Sequence, residues 1–131
     1  MNLTKLDRVF SLFIRLRDAN NGYVSCISCG KIVDWKLSDC GHYVNRKHMA
    51  LRFDEKNCNA QCRSCNRFDE GNSQGYRRGL IKKYGEKEVE LLEIKKFNIS
   101  KLSQFEVNIL TKIYQKKIKE LEPSAKLVIV R

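Results

Sequence analysis

Between residues 3 and 19 the apolar positions Leu3, Leu6, Phe10, Phe13, Ile14 and Leu16 recur at mixed spacings of three and four, the period of an amphipathic helix. Asn20, Asn21 and Gly22 supply the turn that ends it. The pattern then changes. YVSCISCGKIVDWKLSDCGHYV alternates apolar and polar residues around a Cys-x-x-Cys-Gly turn, which predicts short hairpin strands. A less regular stretch follows from Asn45 to Asn57, and a further helix is expected to start near Cys62. Gly71 and Gly75 weaken its continuation, so GYRRGLIKKYG reads as a separate short helix stopped by Gly85.

Two more helical patterns close the chain, EKEVELLEIKKF and SQFEVNILTKIYQKKIKELE, the second expected to end before Pro123. On it, Phe105, Ile109 and Ile113 form one stripe and Leu110, Tyr114, Ile118 and Leu121 an adjoining one. Core packing is the expected use of both stripes, ahead of a dimer seam. AKLVIVR reads as a terminal strand. The fold class is therefore α+β. The 131 residues fit a single domain, 1–131: an N-terminal helix (1–20), a central core (23–85) and a C-terminal helical extension (86–131).

Charge narrows the partner. The chain carries 26 basic and 15 acidic residues, a net charge of +11, which favours a polyanion whose condensed counterions are released on contact. Ten basic residues against four acidic ones fall between residues 46 and 83. Arg46, Lys47, Arg52, Arg63, Arg67, Arg77, Arg78, Lys82 and Lys83 are the candidate phosphate contacts. No segment is both strongly basic on one face and strongly apolar on the other, so a membrane partner is not expected. The absence of an apolar run of signal or membrane-span length reads as a soluble cytoplasmic protein.

Cysteine spacing is the sharpest local signal. Cys26 and Cys29, with Cys62 and Cys65, form two Cys-x-x-Cys pairs, the spacing of a closed four-thiolate zinc site. Cys40 and Cys58 lie outside this set, as small buried residues or as parts of a second site. With His42 and His48 they bring the possible ligands to eight, as many as a two-zinc cross-brace uses, although the gap from His48 to Cys58 is far longer than such modules have.

Around the second pair lie groups with hydrolytic chemistry. Asn66 and Glu70 are four residues apart and share a face if residues 65 to 70 are helical, with Asp69 nearly on it. Their oxygens suit a hard divalent cation. His42 is the best candidate base, because imidazole accepts a proton near pH 7. Taken singly, each has a plainer use: Asn66 as a helix cap, the acids as partners of Arg63 and Arg67, His42 as a zinc ligand or a packed ring. Taken together, inside a basic zinc knuckle, they point to metal-dependent hydrolysis.

The order Cys26-x-x-Cys29, Gly41-His42, Asn57, Cys62-x-x-Cys65-Asn66 resembles the HNH or ββα-metal nucleases, above all the zinc-containing endonuclease VII type. CGHYVNRKH, RFDEKNCNAQCRSCNRF, EGN and YRRGLIKKYG resemble the phage lambda NinG (Rap) recombination family, closely over residues 20 to 86 and more loosely along the whole length. The resemblance implies a zinc-stapled ββα-metal (HNH-like) centre with flanking helices. It further implies a Mg²⁺- or Mn²⁺-dependent endonuclease selective for branched DNA, such as Holliday junctions and D-loops. By position, His42 corresponds to the general base, Asn66 to a ligand of the catalytic metal, and Asn57 to a residue that orients the base or braces its loop. The family's pattern places an Asp or His ligand directly before the base, where this chain has Gly41. Asp39, His48 or Glu70 would have to supply that ligand, and the exchange of roles between His42 and His48 stays open. Symmetric junctions favour two active sites and hence a homodimer. The rival class is a non-enzymatic zinc module, the two-zinc cross-brace, binding DNA or protein.

Overall fold

The computed structural model describes residues 2–129, with side-chain surroundings through Leu121. Helix α1 (Thr4–Asp18) buries Leu6, Phe10, Phe13, Ile14 and Leu16, the stripe its apolar spacing defines. It ends where Asn21 and Gly22 take left-handed backbone angles, φ +56° and +80°, which only Gly and, less readily, Asn adopt at low cost.

Strands β1 (Tyr23–Ser25) and β2 (Ile32–Asp34) form an antiparallel hairpin around the first cysteine turn. Strand β3 (Ser38–His42) does not extend it. It pairs antiparallel with β4 (Cys58–Cys62), Ser38 opposite Cys62 and His42 opposite Cys58. Cys62 is thus the last residue of a strand, not the start of a helix. The helical segment after it is one π-type turn, Ser64–Phe68. β4 is buried along all five residues, so its outer edge must find hydrogen bonds elsewhere. The end of α1 and the first cysteine turn supply them. Asp18 accepts from the Ala60 amide at 2.8 Å, Arg17 donates to the Cys58 carbonyl at 3.0 Å, and the Ile27 amide donates to the Ala60 carbonyl at 3.1 Å.

Between the paired strands the chain makes only one short helix, α2 (Met49–Arg52), whose Leu51 is buried. Helix α3 (Ser73–Tyr84) follows, capped by Asn72, whose side chain accepts from the Gly75 amide at 3.3 Å, and stopped by Gly85 at φ +93°. It passes so close to the first cysteine turn that a Cβ on Gly79 would stand 1.9 Å from the Ile27 carbonyl oxygen. Helix α4 (Glu86–Lys95) then buries Val89 and Leu92 against Tyr76, Leu80, Leu51 and Val44.

Helix α5 (Gln104–Ile129) returns along α1. Val107, Tyr114 and Ile118 join the α1 side chains and Cys58 in the larger core, with Leu110 and Leu121 packed on it. Tyr114 meets Phe10 edge-on at 4.9 Å, a favoured aromatic geometry. The other stripe departs from expectation: Phe105, Ile109 and Ile113 are 72%, 41% and 43% exposed. One residue of offset turns a helix by about 100°, which carries them off the contact with α1. The helix also runs through Pro123, so residues 125–129 of the expected terminal strand are helical; residues 130 and 131 lie outside the described part. Proline removes a single N–H from the ladder, and the Glu, Ala, Lys and Leu residues around it are strong helix formers. Among the described residues, no helix is long and apolar enough to cross a membrane.

Candidate metal centre and basic cleft

The hairpin turn and the end of β4 bring Cys26, Cys29, Cys62 and Cys65 together, with all four sulfurs within 4.8 Å of one another. A tetrahedron of ~2.3 Å zinc–sulfur bonds has edges of ~3.8 Å, and Cys29 and Cys62 stand 3.8 Å apart. The donor set fits a structural zinc. Its surroundings fit as well, because N–H groups point at the sulfurs: the Cys65 amide at Cys62 and the Asn72 side chain at Cys65, both at 3.4 Å. Buried Gln61 ties the first cysteine turn to the loop before α3 by donating to the Ser28 hydroxyl at 2.9 Å and the Gly71 carbonyl at 2.6 Å.

Beside this centre opens a cleft of about 860 Å³, lined by His42, Asp39, Asn66 and Glu70 together with Arg46, Arg52, Arg63 and Arg67. β3 delivers Asp39 and His42, and the π-type turn delivers Asn66. The Asp39 carboxylate accepts from the Asn66 amide at 2.9 Å and from both sides of the Arg67 guanidinium at 2.8 and 2.9 Å. Burial raises its pKa, but these bonds and nearby Arg63 outweigh it and hold the carboxyl below its usual range.

Glu70 reaches the cleft by another route than the expected helical face. The turn ends at Phe68, and Glu70 sits in left-handed backbone at φ +47°, so no four-residue helical pairing with Asn66 exists. His48 begins α2 and does not line the cleft.

His42 shares its surroundings with the Arg52 carbonyl, which lies 2.9 Å from Nε2. A carbonyl only accepts, so Nε2 carries the proton and Nδ1 is left as the acceptor. Burial pushes the His42 pKa below its ordinary value of 6.5, outweighing the hydrogen bond to the Arg52 carbonyl and the charge of Asp7, with Arg46 adding to the downward shift. The ring is therefore neutral at pH 7. Cys40 and Cys58 lie within 4.8 Å of it, and burial pushes the Cys58 thiol well up.

Asn57 is wholly buried and braces the loop between the paired strands. Its carbonyl oxygen accepts from the Val44 amide at 2.8 Å, and its amide donates to the Val44 and Leu51 carbonyls at 3.0 and 3.1 Å. Buried Tyr76 fixes the same strand ends. Its hydroxyl donates to the Gly41 carbonyl at 2.7 Å and lies 3.1 Å from the Asn57 carbonyl.

The basic candidates divide. Arg52 is held by Asp7 and Arg77 by Glu93. Arg78, Lys82 and Lys83 line a separate groove beside Asp18 and Asn59, where Lys83 donates to Asn59 at 2.6 Å. Lys47 is exposed outside the cleft. Phe53 packs edge-on against Phe10, and Tyr43 is hydrogen-bonded to Glu93.

Fold and site define a small mixed α+β protein with two short sheets and a cysteine cluster that could bind zinc. The chain belongs to the family described as Bacteriophage Lambda NinG protein, whose profile matches residues 3–124. It is 33% identical over 123 residues to protein ninG of Escherichia phage 933W, covering 93% of this chain and 59% of that protein. Protein ninG of Escherichia phage lambda and that of Salmonella phage P22 are each 32% identical, over 93% of this chain and 58% of theirs. The chain thus spans somewhat over half the length of these relatives. No solved structure is a significant match.

Proposed function

We propose that the cleft hydrolyses DNA phosphodiesters at branched recombination intermediates, on an HNH-like centre made of β3, β4 and the turn carrying Asn66. The observation that carries this reading is the contact of His42 Nε2 with the Arg52 carbonyl at 2.9 Å, which leaves Nδ1 as the acceptor in a cleft that also holds Asp39 and Asn66. Nδ1 then takes the proton from the attacking water. The fixed ring needs no reorientation at that moment.

Asp39, Asn66 and Glu70 offer the oxygen donors that a hard divalent cation prefers. Mg²⁺ or Mn²⁺, when bound there, neutralises charge developing on the phosphoryl and leaving oxygens. Asp39 fills the place that Gly41 leaves without a ligand. Its release from Arg67 frees that guanidinium for a DNA phosphate. Exposed Arg46 and Arg63 border the same cleft. No base-reading helix emerges from the pattern, so recognition rests on backbone geometry and deformability.

A second reading has its own observation, the approach of Cys40 and Cys58 to His42 within 4.8 Å. A soft metal at that place would make His42 a ligand and the protein a two-zinc binding module. Two features count against a cross-brace: His48 does not join the cluster, and the first and last cysteine pairs share one site, so the ligand pairs nest and do not interleave.

The test is cutting of labelled four-way junction, flap, plain duplex and single strand in Mg²⁺ or Mn²⁺, with metal content measured on the same preparation. One zinc per chain and branch-selective, metal-dependent cuts are expected. Junction binding without cutting by folded protein, or two zinc ions per chain, would favour the module.

A further inference from the structure

We infer that Arg15, on the N-terminal helix α1, holds a DNA phosphate in the cleft by a two-pronged guanidinium contact; the inference rests on the cleft being the DNA site. Arg15 lines the cleft together with Asp39, His42 and Asn66. It lies outside the basic stretch 46–83, so charge clustering along the chain gives no sign of it.

The argument is one of unmet bonding. Arg17, Arg52 and Arg77, the other partly buried arginines, each have a carboxylate: Asp18, Asp7 and Glu93. Arg63 and Arg67 share Asp39. Among the described residues Arg15 has no carboxylate within 4 Å, and its one hydrogen bond runs from Nε to the Ser11 carbonyl of its own helix at 3.3 Å. Among the described residues neither terminal nitrogen of Arg15 has a protein acceptor. Burial lowers the Arg15 pKa, opposed by Cys40 and Asp39, yet guanidinium keeps its charge at any working pH.

The side chain is also held in place. Its guanidinium carbon lies 5.9 Å from the centre of the Trp35 ring, and the Ser11 bond fixes the stem. A guanidinium kept rigid, partly desolvated and short of acceptors matches the paired oxygens of a phosphate. In a cleft already holding the base, such a group stabilises charge on the phosphoryl oxygens without reorganising. On this view α1 contributes to the site and does more than support it.

Arg15→Met, which keeps an apolar stem against Trp35, and Arg15→Lys, which keeps the charge, separate the roles. Arg8→Gln, an exposed change on the same helix, is the control. All are compared as zinc-loaded full chains. Junction binding is measured against salt without Mg²⁺, and single-turnover cutting at saturating junction with Mg²⁺. Arg15→Met should flatten the slope of log K against log salt by about 0.9, one phosphate contact, and slow cutting ~100-fold. Arg15→Lys should restore the slope but not the rate, and Arg8→Gln should cut like the parent. A folded Arg15→Met with the parent's slope and rate would overturn the inference. Should Arg15→Met not fold, parent-rate cutting by Arg15→Lys would overturn it. Should the parent itself not cut, the nuclease reading fails while the slope still decides whether Arg15 binds phosphate.

Discussion

Replacing Asn57 removes a brace whose cost follows from its bonds. Its side chain satisfies three buried backbone groups, the Val44 amide and the Val44 and Leu51 carbonyls, at 2.8, 3.0 and 3.1 Å, while being itself fully withdrawn from water. A typical hydrogen bond contributes about 1 kcal/mol net, and a buried group left unpaired costs about 1–3 kcal/mol. If loop relaxation re-solvates part of the backbone, Asn57→Ala should lose about 3–5 kcal/mol, a large share of the ~5–15 kcal/mol that holds a domain folded. Asn57→Asp is the sharper probe. It keeps shape and the acceptor for the Val44 amide, but turns two donors into a carboxylate oxygen facing two carbonyls, so it should destabilise at least as much as Ala. Urea unfolding of zinc-loaded protein gives the loss, and hydrogen exchange at the Val44 amide locates it. A shift below ~1 kcal/mol for both variants, less than one ordinary hydrogen bond, would refute the bracing argument.

The remaining predictions concern zinc, packing and pH. The zinc-loaded chain should hold one ion, and chelation should abolish amide protection in β1, β2 and α3, as hydrogen exchange would report. Unchanged protection after complete metal loss would count against a structural role. Gly79→Ala should destabilise by about 1–3 kcal/mol despite the higher helix propensity of alanine, because its Cβ would meet the Ile27 carbonyl at 1.9 Å; thermal melting checks the sign. The pH profile follows from His42, whose folded pKa lies below 6.5. The unfolded chain therefore takes the proton first, so this residue is neutral in effect above pH 6.5 and destabilises the fold as pH falls below it. Cutting should likewise be level around neutrality and fall on an acid limb with a midpoint under 6.5; a midpoint above that value contradicts the assigned environment.

Periodicity and spacing made the helices and the cysteine cluster legible. α1, α3 and α4 lie where apolar recurrence and Gly85 place them, because those signals are local. The four cysteines are equally readable, since two Cys-x-x-Cys turns have few other uses. Pairing was not readable: nothing near Ser38–His42 announces that its partner lies beyond a loop, at Cys58–Cys62. The Arg17 and Asp18 bonds that cover β4 are likewise long-range, joining a helix end to a strand some forty residues on. Two residues kept their chemistry but changed surroundings: Glu70 reaches the cleft through a left-handed turn, and Asp39 is engaged by Asn66 and Arg67. Phe105, Ile109 and Ile113 show the limit of apolar stripes, because periodicity reveals a face without saying whether a neighbour covers it. Arg15 was hidden for the opposite reason: it is one charge among several on a helix read for its apolar face.

Single-turnover cutting of a labelled four-way junction by the zinc-loaded chain and by His42→Ala, in Mg²⁺, tests the assignment of the cleft most directly. The parent should cut, and His42→Ala, with zinc content and melting unchanged, should be slowed by ~10²–10⁴-fold, the range for losing a general base. Equal cutting by both proteins, or no Mg²⁺-dependent cutting by a folded parent that binds the junction, would contradict it.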